Sequence, residues 1–192
     1  PLVQISGPTA GGVSRNEYSL FSVPERGAIL NNSFQLSNTQ LAGWVQGNPN
    51  MSRGTAQIIV NEVTGRMPSN IQGFLEVAGN KASVVIANPN GIAVNGGGFL
   101  NTSRALLTTG RPQYDSAGNL RNMHIERGTV SVYGDGLNAN GADSVEILAR
   151  AAEINAGLWA NAAHIVTGAN DVAYPELSAT AIEGAGERPA FA

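Results

Sequence analysis

The sequence contains no cysteine. That absence removes disulfides, thiolate zinc sites, iron–sulfur clusters and thiol nucleophiles together. Charge is scarce: Asp, Glu, Lys and Arg make up 13% of the chain, about half the ~25% usual in soluble domains. The formal net charge of −3 offers no electrostatic footprint for nucleic acid, so no nucleic-acid partner is expected. Aromatic residues are only 6%. The two histidines, His124 and His164, lie far apart with no HExxH or H-x-x-H spacing, so no histidine metal site is expected. There is no G-x-S-x-G elbow, and Gly97-Gly98-Phe99 lacks the lysine of a phosphate loop. Two uncharged stretches, 27–52 and 82–103, are longer than the ~20 residues a spanning helix needs. They are studded with amides such as Asn32, Asn38, Gln40 and Asn48, which hydrocarbon would leave unpartnered, so no transmembrane segment is expected. No signal peptide follows Pro1, although a processed chain would look the same.

What is present is glycine, asparagine and short apolar runs. The chain has 192 residues, 42% of them hydrophobic, with 24 glycines. High hydrophobicity with low net charge is not the signature of disorder, so the chain should fold, as one domain or at most two small ones. Short β-rich runs recur at 28–30, 34–36, 57–60, 74–77, 83–87, 92–94, 104–108, 123–126, 129–133, 145–148, 152–154, 158–160 and 163–166. Each is bounded by Gly, Asn, Pro or Asp. Runs this short suit a solenoid better than a sandwich.

The composition has a physical reading. A parallel β-helix stacks its turns ~4.8 Å apart, so side chains at equivalent bends stack on themselves. Like charges repel in such a column, whereas asparagine can bond along it and glycine or asparagine accept the φ > 0 of a bend. The expected fold is therefore all-β, a parallel β-helix with coils of roughly 20 residues and about nine coils in all. The stretch 145–168 comes closest to a repeat. Its Ala, Glu and Leu keep a helix in play there, against which stand Asn155, Gly157 and Asn161. Residues 112–122 read as a β-hairpin leaving the coil, around the turn 115–118. From Tyr174 the pattern is less periodic, and 183–192 reads as a frayed end or linker.

Little in the sequence points to catalysis. Asp135, Asp143, Glu146 and Glu153 are the candidate carboxylates of a β-helix hydrolase or lyase, but they are spread out and read more simply as solvated surface acids. Gly134-Asp135-Gly136, followed by Asn138 and Asn140, faintly resembles a calcium loop; a plain Gly/Asn turn is the better account. His164 is expected half-buried on a strand and His124 on the surface. No catalytic residue, metal or cofactor is assigned.

The most specific feature is an echo. Asn48-Pro49-Asn50-Met51 returns 40 residues later as Asn88-Pro89-Asn90-Gly91-Ile92. Proline fixes φ, the first asparagine can close an Asx-turn, and the second tolerates a left-handed conformation. A spacing of two ~20-residue coils would put both turns on the same edge, two layers apart. Two roles compete for these residues: contact with a partner, or structural turns whose amides satisfy the bend. The second is preferred.

With these motifs, the segments 23–32, 41–51, 59–64 and 77–92 resemble the N-terminal secretion domain of two-partner-secretion exoproteins, the filamentous haemagglutinin family. The resemblance covers about 15–170, and the wording of the strands is similar to the contact-dependent growth-inhibition branch. The family's first motif usually ends in leucine; here Met51 replaces it with similar volume. The resemblance implies a right-handed β-helix with an N-terminal cap at about 1–35, coils over about 36–172 and a tail over about 173–192, together one secretion domain. It implies recognition by an outer-membrane β-barrel transporter through periplasmic POTRA-type domains, ahead of the remainder of a large exoprotein. The product would be secreted from, or displayed on, a Gram-negative bacterium. Two other readings stay open at this point: a host-cell or glycan-binding adhesin domain, and a polysaccharide-degrading enzyme.

Overall fold

The computed structural model describes residues 1–183; the end expected to fray falls, from residue 184 onward, outside the described residues. Among the described residues, three parallel sheets form the three walls of a β-helix. The first wall stacks Leu2–Gln4, Ala28–Asn32, Phe74–Gly79, Gly97–Leu100, Leu137–Ala139 and Leu158–Ala160. The second stacks Val13–Tyr18, Ile58–Val63, Ala82–Ala87, Thr102–Thr108, Ala142–Ala149 and Ala163–Thr167. The third stacks Ser69–Ile71, Ile92–Val94, Thr129–Val132 and Ala151–Ile154, with Val23 bridging to Ile71. The chain visits third, first and second walls in turn, and the coil is right-handed, as crossovers between parallel strands are.

Two walls have six strands and the third has four, so the stack has six layers and not nine coils. The coil length itself was close: Val85 pairs with Leu106, 21 positions on, and Glu146 with His164, 18 positions on. The missing coils are spent on excursions. Ser37–Thr39 and Gly43–Val45 make an antiparallel hairpin in place of the strand expected at 34–36. Its tip is held by buried Glu76, whose carboxylate accepts hydrogen bonds from the Gln40 and Leu41 amides at 2.8 and 2.9 Å. The hairpin expected at 112–122 is present as Arg111–Tyr114 and Leu120–Ile125. It grows into a four-stranded antiparallel sheet by adding Asn170–Ala173 and Ala179–Ala181. Residues 145–167 are strands and not a helix. The segment expected as a cap already contributes rungs, since Leu2–Gln4 pairs with Ala28–Asn32 and Val13–Tyr18 with Ile58–Val63.

Two cores follow from the period-2 geometry of a strand. On Ala82–Ala87 every residue is buried: Val84 and Ile86 point into the coil, and Val85 and Ala87 point outward. Column after column repeats inward, as in Ile59–Val84–Ala105–Val145 and Ile86–Leu107–Ile147–Ile165. Outward, Val60, Val85, Leu106 and Leu148 meet Leu120, Met123, Ile125 and Val172 of the antiparallel sheet. That second core explains why the central strands read as unbroken apolar runs.

Candidate functional site

Both Asn-Pro-Asn turns have the same internal wiring. The Asn48 carboxamide oxygen accepts from the Asn50 amide at 3.0 Å, and the Met51 amide donates to the Asn48 carbonyl at 3.0 Å. In the second turn Asn88 accepts from the Asn90 amide at 3.0 Å, and the Gly91 amide donates to the Asn88 carbonyl at 3.1 Å. Each is an Asx-turn nested in a β-turn, with proline supplying the fixed φ. They part at the fourth residue. Met51, buried in the main core, continues a short 3₁₀ turn. Gly91 takes φ +115°, a conformation that L side chains rarely adopt, and leads straight into the strand that begins at buried Ile92.

The first asparagine of each motif is fully buried and bonded to segments remote in sequence. The Asn48 amide nitrogen donates to the Ile5 carbonyl at 2.9 Å and the Asn31 carbonyl at 3.0 Å. The Asn88 nitrogen donates to the Met67 carbonyl at 3.0 Å and the Ser69 hydroxyl at 2.9 Å. The second asparagines sit further out: Asn50 is exposed and donates to the Ile5 carbonyl at 3.0 Å, and half-buried Asn90 donates to the Gly65 carbonyl at 2.8 Å. Pro49 is exposed and Pro89 half-buried.

The structure does not put the two turns on one edge. Asn48 lies where the chain passes from the first wall to the second, between Ala28–Asn32 and Ile58–Val63. Asn88 lies where it passes from the second wall to the third, between Ala82–Ala87 and Ile92–Val94. The inference from spacing failed because coils differ in length: Ile58 pairs with Ser83, 25 positions on, but Val145 with Ala163, only 18. The first-to-second corner has its own asparagine series, which carries no repeated motif in the sequence. Asn32 donates to the Ala56 and Asn80 carbonyls, Asn101 to the Val77 and Gly79 carbonyls, and Asn161 to the Asn140 and Ala142 carbonyls. The stacking expected of asparagine is thus mainly to neighbouring backbone and not amide to amide.

The four candidate carboxylates are not brought together. Glu146 is buried against Arg104, with two bonds of 2.7 and 2.9 Å. Asp143 pairs with Lys81 at 2.6 Å on the surface, and Glu153 is exposed in the last layer. Asp135 belongs to a glycine turn whose Gly134 and Gly136 have positive φ and whose Asp135 amide donates to Asn95.

The histidines are reversed relative to expectation. His164 is exposed, because it lies in the outermost described layer. His124 is half-buried: its Nδ1 lies 2.6 Å from Asp171 and its Nε2 3.0 Å from Glu126. The pairing of Leu120–Ile125 with Asn170–Ala173 that creates this contact spans nearly 50 residues, beyond any local pattern. Hydrogen bonds to Asp171 and Glu126 raise the His124 pKa above its usual 6.5, outweighing burial. A folded pKa above the unfolded one stabilises fully below pH 6.5, and that contribution is lost as pH rises through the raised value. Melting temperature should therefore fall as pH climbs above 6.5, and His124→Gln should flatten the dependence.

Comparison with known proteins fits this architecture. The family model described as TPS secretion domain matches residues 1–188. "Toxin CdiA" of Yersinia pestis is 48% identical over 194 residues, covering 100% of this chain and 6% of that protein. "tRNA nuclease CdiA-2" of Burkholderia pseudomallei (strain 1026b) is 47% identical over 191 residues, covering 99% and 6%. This chain therefore spans about 6% of the length of these relatives, whose names describe those proteins as wholes. The crystal structure of the filamentous hemagglutinin secretion domain superposes with a TM-score of 0.89 at 36% identity, covering 100% of this chain and 65% of that one. A six-layered β-helix with two Asn-Pro-Asn corners, each anchored by a buried first asparagine, and matched along nearly its whole length, belongs to the TPS secretion domain family.

Proposed function

We propose that this domain is engaged in the periplasm by a dedicated outer-membrane β-barrel transporter, through that partner's POTRA-type domains. It then leads a large exoprotein across the outer membrane of a Gram-negative cell, to the cell surface or the medium. The observation that carries the reading is the family match over residues 1–188 of a chain that folds as stacked parallel rungs. The similarity to CdiA proteins supports placing the parent in the growth-inhibition branch. Before folding, exposed strand edges can be captured by β-augmentation; once outside, each closed rung offers an edge for the next. In this reading Asn48 and Asn88 act as scaffold, since both are buried with their donors occupied. The exposed Pro49 and Asn50 and the half-buried Pro89 and Asn90 are the motif residues open to a partner.

Deleting residues 1–183 from the parent protein should abolish its release into the medium while leaving its synthesis intact. The purified domain should bind the isolated periplasmic region of the transporter. Undiminished release after the deletion would refute the proposal.

A further inference from the structure

A cleft of about 360 Å³ opens at the second-to-third corner, lined by Glu62, Val63, Arg66, Pro89, Arg111 and Arg127 among others. Three of the chain's 11 cationic side chains converge there, although the chain as a whole carries −3. All three arginines are exposed, and among the described residues none makes an ion pair. Arg127 approaches the Asn90 carboxamide oxygen with both terminal nitrogens at 3.4 Å, a long contact to a neutral acceptor. Among the described residues Glu62 is the one acid in the lining. Burial and Glu17 raise its pKa, while Arg15 and Arg111 oppose the rise. Three guanidiniums against one carboxylate leave an excess of two positive charges.

We propose that this cleft docks a carboxylate-rich, extended segment of a partner protein. The guanidinium fork matches a carboxylate with paired hydrogen bonds, which are stronger than neutral ones. Half-buried Pro89 supplies apolar surface for the methylene stem of a glutamate side chain. The volume takes a few side chains and not a duplex, and the negative charge of the whole chain disfavours a long polyanion. The inference goes beyond the export reading and stands without it, because it concerns what the cleft binds and not when.

The test is binding of fluorescein-labelled hexaglutamate to the 192-residue chain at low ionic strength, with hexalysine and tripolyphosphate as comparison ligands. R66Q/R127Q removes two cleft charges, and R26Q/R53Q removes two exposed charges elsewhere. The expected result is that hexaglutamate binds the parent and R26Q/R53Q alike, that R66Q/R127Q binds about tenfold more weakly, and that salt weakens all three. Melting temperatures of both variants should match the parent, since the side chains are exposed. Equal weakening in the two variants, no binding of hexaglutamate, or tighter binding of tripolyphosphate that displaces the peptide would each overturn the proposal.

Discussion

Alanine at position 48 is expected to lower the stability of the domain by about 2–4 kcal/mol, because buried polar groups lose their partners. The side chain is fully buried, and its removal deprives the Asn31 carbonyl and the Asn50 amide of bonds while leaving the Ile5 carbonyl only its bond from Asn50. Asn50→Ala, which loses one outward-lying bond, should cost only about 0.5–1 kcal/mol. Urea titrations of the purified domain give these values. Export of the parent protein supplies the second axis. If Asn48 is scaffold, the alanine variant loses stability and export together. A variant that melts normally yet is not exported would transfer the residue to partner recognition.

Arg104→Ala should be comparably severe, costing about 3 kcal/mol, because a buried carboxylate is left without its counter-charge. Glu146 is 4% exposed, and without Arg104 its remaining described partner is the Ser144 hydroxyl at 3.3 Å. The arginine is itself held on its far side by the Tyr174 ring, 4.7 Å from the guanidinium carbon. That contact ties the second wall to the segment following Asn170–Ala173. The double variant R104A/E146Q should regain a large part of the loss, since it removes the stranded charge. R104M/E146L should come close to the parent, since an apolar pair of similar volume avoids desolvation altogether. An R104A variant within about 0.5 kcal/mol of the parent would mean that Glu146 finds water, and the buried-pair account would fail.

The sequence showed the coil better than it showed the additions to the coil. Ile92–Val94 and Leu158–Ala160 were legible to the residue, because short apolar beats between glycines and asparagines are what a rung needs. Leu137–Ala139 and Gly97–Leu100 were missed: in a rung three or four residues long the neighbouring layers supply the stability, and local preference contributes little. The hairpin Ser37–Val45 was hidden because buried Glu76, from a strand more than 30 positions away, anchors its tip. The Asn-Pro-Asn turns were recognisable as turns from their own four residues. Their places in the coil were not, since corner position depends on the summed lengths of every intervening excursion. The half-buried position of His124 is illegible for the same reason, its partner Asp171 arriving from a strand far along the chain.

The rung geometry has a mechanical side. The 21 residues from Val85 to Leu106 measure about 70 Å when drawn out. Coiled, they advance the stack by about 4.8 Å, a shortening of roughly fifteenfold. In a chain drawn through a narrow pore, every rung that closes on the far side takes up nearly its whole length as slack. The closed rung is also too wide to slip back unless it opens first. In the proposed export, stacking would haul and latch in the same step, with the burial of columns such as Ile86–Leu107–Ile147 as its energy source.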